Sequence, residues 1–406
     1  MSEIKIHPLQ RARKQLGLKQ QVLADLTGLS LPTIKRAERG LVLNDYSISQ
    51  ICTYFSMRYN RKVEPQELGL YGQWEKDESM LIEKEVNVIN RKPASSSLRD
   101  ERDGCFSFGK IKTTWKILDG DGSGMYLPQH IRSHYIPLAE ELPDELQASR
   151  NNIEQEQKQK RAQGLPFLWN GETYSLDRFV IGREPINEGM TLDLWFRPSD
   201  YYTFLATNMS LKDPYLREKY LADVDWDEPV PYFSHSFGVS LAVVTSDGYT
   251  LFTKRGKNVG TLPSTYETSV AEGLSRPIDR GTNGEAPDVY RCACRGLAEE
   301  LGLRESVDFS VSDIAFLSFG VSTQYALWAL RGMVKIKKGI NDLMAIWDNG
   351  VRDKFENQQI IPIPFTPEDV VSFVFTHQSL SLRPTIYHAL VHEFGRDVVN
   401  RVISFY

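Results

Sequence analysis

At 406 residues the chain is too long for one ordinary domain, and two or three are expected. Its hydrophobic share of 41% and charged share of 25% fit a soluble globular protein, and no apolar run approaches the ~20 residues that span a bilayer. A net charge of −5 argues against a protein coated in nucleic acid, but it leaves room for one small basic module.

The first 70 or so residues read as short helices with tight turns. Residues 1–40 carry Lys5, Arg11, Arg13, Lys14, Lys19, Lys35, Arg36 and Arg39 against only Glu3, Asp25 and Glu38. The start, MSEIKIHPLQRARK, lacks the apolar stretch of a secretory signal. Within QQVLADLTGLSLPTIKRAERG, Ala24 is small enough for two helices to approach, and Gly28 permits the positive φ of a turn. Ile34 and Ala37 fall on the buried side of the next helix, which Ser30 is placed to cap, and Pro32 is tolerated in its first turn. This leaves Ser30, Leu31, Pro32, Thr33 and Arg36 near the helix start, where such helices meet base edges. Lys35 and Arg39 beside them, and Gln20 on the preceding helix, are placed to hold phosphates.

The segment resembles the lambda-repressor-like (Xre-family) helix-turn-helix over about residues 7–70, including its IKRAERG ending. The resemblance implies five short helices, a homodimer on double-stranded DNA, and recognition through the helix that begins at Ser30.

Residues 73–104 are polar with a Pro-Ala-Ser-Ser-Ser stretch and read as a linker. A β-rich middle region, 105–231, follows. FSFGKIKTTWKIL, GETYSLDRFVI, TLDLWFRP and YYTFLATN look like strands, and ELQASRNNIEQEQKQKRAQG like an exposed polar helix. From 232, GVSLAVVTSDGYTLFTKRG predicts two strands around an Asp-Gly turn. A helix is expected over 288–302, strands near 313–336 and 358–365, and a closing helix, RPTIYHALVHEFGRDVVNRVISF.

In RGLAEELGL, residues 295–303, adjacent glutamates Glu299 and Glu300 follow Arg295 on one amphipathic helix. Cys294, Leu297, Ala298 and Leu301 form its expected apolar stripe, and Gly302 its stop. Paired carboxylates repel unless a base or a hard cation relieves them, and Mg²⁺ or Mn²⁺ would also bridge phosphates. An isolated Glu-Glu pair is ordinarily solvated surface, but this one comes with a preceding hairpin and a glycine loop.

The frame Arg295, Leu297, Glu299, Glu300, Gly302, Leu303 resembles the second half of the Nudix box, with Gly296 where that family has glutamate. Gapless counting puts Pro287 where the box has its first glutamate. Allowing an insertion, YETSVAEGL supplies the opening strand, with Glu272 and Gly273 at the turn. The resemblance, over about 232–406, implies an α/β/α sandwich that holds a nucleotide-type small molecule through Mg²⁺ or Mn²⁺. Glu299 and Glu300 would be the metal ligands, and Glu299, Glu300 and Arg295 the catalytic residues if the domain is active. Gly273, Glu272 and Glu285 would line the cofactor side. Losing a carboxylate that acts in the transition state costs about 10²–10⁴ in rate. Glu267, Glu272 and Glu285 are the residues placed to compensate.

The expected protein is therefore multidomain: an all-α helix-turn-helix domain (1–72), a linker (73–104), the β-rich middle region (105–231) with its inserted polar helix, and the Nudix-like domain (232–406). Its expected role is a cytoplasmic transcription regulator sensing a nucleotide or nucleotide-sugar. The rival is an active pyrophosphohydrolase with an auxiliary DNA-binding domain. A third reading, a defence or stress protein acting on a nucleotide signal, has no specific feature behind it.

Other features read as structural. LDGDGSGMYLPQH has Asp119, Asp121, Ser123 and Gly124 at calcium-loop offsets but His130 at the twelfth position, so a strand-connecting turn is preferred. His388 and His392 share a helix face without a third ligand. The four cysteines are scattered and read as reduced thiols.

Overall fold

The computed structural model describes residues 7–27, 29, 31–40, 43, 45–59, 61–70, 104–184, 188–222, 224–256, 265–282, 284–351, 357–377 and 382–406. The expected linker therefore lies, as far as residue 103, outside the described residues. The chain divides into two units, Met1–Ser97 and Leu98–Tyr406.

The first unit contains α1 (Pro8–Gln15), α2 (Gln20–Thr27), α3 (Leu31–Glu38) and α4 (Asp45–Tyr59), then a 3₁₀ turn, Pro65–Leu68. Among the described residues this makes four α-helices where the resemblance implied five. Leu9, Leu23, Ala24, Ile34, Ala37, Ile48, Ile51 and Phe55 form one core, as the apolar spacing predicts. His7 accepts from the Leu9 amide and so caps α1.

The second unit opens with three short strands, β1 (Ser107–Phe108), β2 (Ile111–Lys112) and β3 (Trp115–Asp119). Next come β4 (Ile131–Tyr135), α5 (Asp144–Ala162), β5 (Glu172–Arg183), β6 (Met190–Asp200), α6 (Tyr201–Thr207) and α7 (Pro214–Leu221). The polar helix is thus observed as α5. YYTFLATN, expected as a strand, is the helix α6: Asp200 accepts from the Thr203 amide at 2.7 Å, and this cap outweighs the β propensity of the aromatics.

The rest contains β7 (Phe237–Val244), β8 (Tyr249–Arg255), β9 (Tyr266–Thr268), β10 (Val270–Gly273), α8 (Val289–Leu301), β11 (Ile314–Ser322) and β12 (Leu327–Lys335). It ends with α9 (Ile340–Asp348), β13 (Asn357–Pro364), α10 (Pro367–Thr376), α11 (Arg383–Phe394) and α12 (Arg396–Ile403). The expected single closing helix is two, because Gly395 leaves the helical region at φ 81°, ψ 150°. Helices α9 and α10 were not anticipated.

Among the described residues, the largest sheet has eight strands along the path β13-β8-β7-β12-β11-β3, with β10 on β7 and β9 on β8. It is mixed: β12 runs parallel to β7, and the other pairings are antiparallel. The β7–β8 hairpin opens into a fork. Ser269 sits in it fully buried, donating to the Leu251 carbonyl and accepting from the Val243 amide at 2.7 and 3.0 Å. Two cores follow from strand alternation. Phe237, Val239, Leu241 and Val243 face α8 and the β4-β6-β5 sheet, whereas Ala242 and Val244 face α10, α11 and α12. Tyr174, Leu192 and Phe196 join the first of these, so residues 105–231 and 232–406 share a core.

Candidate functional site

In the first unit, α3 presents Leu31, Thr33, Lys35 and Arg36 half-buried, and Arg39 follows exposed. Ser30 and Gly28 lie outside the described residues, and only the backbone of Pro32, within α3, is described. Leu31 packs partly on the core. Beneath the helix, Arg13 pairs with Glu38 through Nε–Oε1 at 2.5 Å and Nη2–Oε2 at 3.1 Å. Gln20 donates to the same carboxylate at 2.7 Å. Glu38 therefore clamps α1, α2 and α3 together.

In the second unit the decisive helix is α8. Asp288 caps it by accepting from the Tyr290 and Arg291 amides at 2.9 and 3.1 Å, and Gly302 ends it at φ 71°. The apolar stripe is rotated from the expected one. Leu297 and Leu301 of that stripe are buried, but Cys294 is half-buried and Ala298 exposed, and Cys292, Ala293, Gly296 and Glu300 are buried in their place. Gly296 explains the rotation, since it lies against β10, where a Cβ would stand 2.6 Å from Val270 Cγ1.

Arg295 is the centre of the charged edge. Its Nη1 meets Glu272 Oε1 at 3.0 Å and Glu299 Oε2 at 3.3 Å. Its Nε and Nη2 meet the two oxygens of Asp279 at 3.0 and 2.8 Å, and Nη2 also donates to the Gly273 carbonyl at 2.7 Å. Asp279 is fully buried. Glu300 is buried and accepts from the Ala271 amide at 3.0 Å. Burial pushes the Glu272 carboxyl up to about 7, against the opposing pull of Arg295. Burial disfavours the charge on Arg295, but the Asp279 hydrogen bonds and Glu272 outweigh it, and the net direction is upward.

The structure thus brings Glu272, Gly273, Arg295 and Glu299 together, with Glu300 on the adjoining β10 backbone. It places Glu285 apart, paired with Arg280 at 2.7 Å. Asp279 was missed; it sits in the turn RPIDR, which carries no local signal for an ion pair. Among the described residues no group of three or more His, Cys, Asp and Glu is arranged for a cation, and a guanidinium stands where the carboxylates meet.

The structural readings of the other motifs fit their surroundings. Asp119 binds Arg183 and the Tyr126 hydroxyl, and Asp121 binds Arg396 and Ser123, which ties both carboxylates into a turn. His388 is buried with Nδ1 2.7 Å from Ser318 Oγ, and burial lowers it to about 3. All four cysteines are free thiols. Among the described residues no helix is long and apolar enough to cross a membrane.

A helix-turn-helix family model matches residues 9–53. That span covers α1 to α3 and the first half of α4, the part of the chain that carries the Arg13–Glu38 clamp. The match supports a DNA-binding module at this end of the chain. No curated protein matches the chain.

Proposed function

We propose that the protein is a cytoplasmic transcription regulator that binds operator DNA as a homodimer and responds to a nucleotide or nucleotide-sugar taken up by its second unit. The helix-turn-helix match over residues 9–53, with half-buried Lys35 and Arg36 on its third helix and exposed Arg39 just after it, is the observation that carries the DNA-binding part. The ligand part rests on the Nudix-box resemblance and on the gathering of Glu272, Glu299 and Glu300 at the α8–β10 edge. Mg²⁺ or Mn²⁺ belongs to this reading as a companion of the ligand's phosphates, with Glu299 and Glu300 as its protein contacts. Gly296 favours binding over turnover, because close packing has taken the space of the missing carboxylate. A ligand that prefers one arrangement of the dimer shifts DNA affinity by that preference.

One observation favours hydrolysis instead. A carboxyl held at about 7, as Glu272 is, suits a general base at neutral pH. A nucleotide panel read for melting shifts and phosphate release together decides between the two. The sensor gives shifts without release and a ligand-dependent gel shift. The hydrolase gives metal-dependent release that Glu300→Gln and Glu272→Gln abolish. Neither shift nor release with any nucleotide removes both.

A further inference from the structure

Within the first unit, a cleft of about 460 Å³ opens between α1 and the chain that leaves α4 for the 3₁₀ turn. Its α1 wall is one stripe, Pro8, Arg11, Ala12 and Gln15, at spacings of three and four residues. Arg13, two residues beyond Arg11 and so about 200° further round the helix, carries the clamp to Glu38 on α3. The cleft therefore lies on the side of α1 turned away from the recognition helix, and DNA binding leaves it open.

The floor is apolar and closed: Ala12, Val63 and Leu68 are buried, and Pro8 is half-buried beside them. The rim is polar. On one side Arg61 grips Glu67 with a two-pronged contact at 3.1 and 2.7 Å, and Glu67 also accepts from the Glu64 amide at 3.0 Å. The Arg61 hydrogen bond, more than any other cause, brings the Glu67 carboxyl down to about 2, so this pair stays ionised and mutually neutralised at neutral pH. On the other side the side chains of Arg11 and Gln15 have no hydrogen-bond or ion-pair partner among the described residues, and neither has the Tyr59 hydroxyl.

The cleft thus offers one cation whose charge is unmatched, two uncharged hydrogen-bonding ends and an apolar floor flanked by the Tyr59 ring. Its volume falls in the range of roughly 300–1,000 Å³ typical of small-molecule sites, which share this plan of apolar lining and few polar groups. The charge count selects the anion. One guanidinium fork matches the single charge and planar oxygens of a carboxylate, whereas a doubly charged phosphate would be left half neutralised.

We propose that this cleft binds a small aromatic monocarboxylate, whose carboxylate takes the Arg11 fork and whose ring lies on the apolar floor beside Tyr59. Because α1 is also tied to α3 through Glu38, a ligand that prefers one position of α1 acts on the recognition helix directly. The site belongs to the first unit and does not rest on the α8 edge binding a nucleotide.

The test is calorimetric titration of the full chain with phenylacetate, 3-phenylpropionate and indole-3-acetate, against 2-phenylethanol and inorganic phosphate at matched ionic strength. At least one of the carboxylates is expected to saturate at one site per chain, with the alcohol and phosphate binding at least about tenfold more weakly. Arg11→Gln should weaken the carboxylate by about tenfold, and Arg11→Lys should recover part of that loss by restoring the charge without the fork. Arg11 is exposed, and circular dichroism checks that both variants fold as the parent does. Arg36→Ala and Glu299→Gln should bind as the parent does, which separates the cleft from the DNA-reading side of α3 and from the α8 edge. Saturable binding by none of the three carboxylates overturns the proposal. So does equal binding of the alcohol or of phosphate, binding that Arg11→Gln retains, or binding that Glu299→Gln abolishes.

Discussion

Gly296 of α8 meets Val270 of β10 so closely that a Cβ on the glycine would stand 2.6 Å from Val270 Cγ1 and 3.1 Å from Glu272 Cβ. The residue that departs from the Nudix pattern is thus the one that lets the helix lie on the strand. Restoring the carboxylate by Gly296→Glu should destabilise the second unit by about 1–3 kcal/mol through overpacking. Denaturant unfolding of the variant measures this, and adding Val270→Ala should return part of the loss. An unchanged midpoint for Gly296→Glu would contradict the contact.

Arg295 neutralises Asp279, which has no exposed surface, and also holds Glu272 and Glu299. Arg295→Met leaves that buried carboxylate uncompensated and should cost about 3–5 kcal/mol. Arg295→Lys keeps the charge but cannot span Asp279 bidentately, so it should fall between the two. Equilibrium unfolding of the three proteins gives the order directly.

The Glu272 carboxyl, at about 7, takes up a proton more readily in the folded state than in the unfolded chain, where it titrates near 4.5. The folded state binds more protons between these values, so this group's stabilisation is complete below about 4.5 and is lost as pH rises to about 7. His235 and His388, lowered to about 4 and about 3 by burial, act the other way, and their stabilisation is lost as pH falls below 6.5. The comparison with Glu272→Gln isolates the first effect. The variant's advantage over the parent should grow from pH 5 to pH 8, and a constant difference would refute the assignment.

Arg36 is half-buried on α3 and takes no part in the Arg13–Gln20–Glu38 hydrogen bonds of the clamp. Arg36→Ala should weaken binding to operator DNA and flatten the dependence of log affinity on log salt by about 1. Glu38→Gln should instead lower the melting point of the first unit by loosening three helices at once. Gel shifts across a salt series, with circular dichroism of each variant, distinguish the two kinds of loss.

The parts of the molecule with local rules were readable from sequence. Asp247-Gly248 announced the hairpin because that turn needs a positive φ, and Gly248 has one of 80°. Ala24, Ile34 and Ala37 announced the core of the helix-turn-helix by spacing alone. What was not readable depended on distant partners. Asp279 reaches Arg295 across sixteen residues of turn and cap, and Arg331 finds Trp115 only through the sheet. Of the expected α8 stripe, Leu297 and Leu301 are buried but Cys294 and Ala298 turn outward, because the contact of Gly296 with Val270 belongs to the packed strand and helix, not to either sequence.

β3 closes the edge of the large sheet by pairing with β11, although some two hundred residues separate them. A fragment cut at residue 232, where the sequence suggests a domain start, would leave unpaired the β11 backbone amides and carbonyls that face β3, while those facing β12 keep their partners. Such a naked rim recruits other chains. Expression of the second unit should therefore begin near residue 104, and shorter pieces are expected in inclusion bodies.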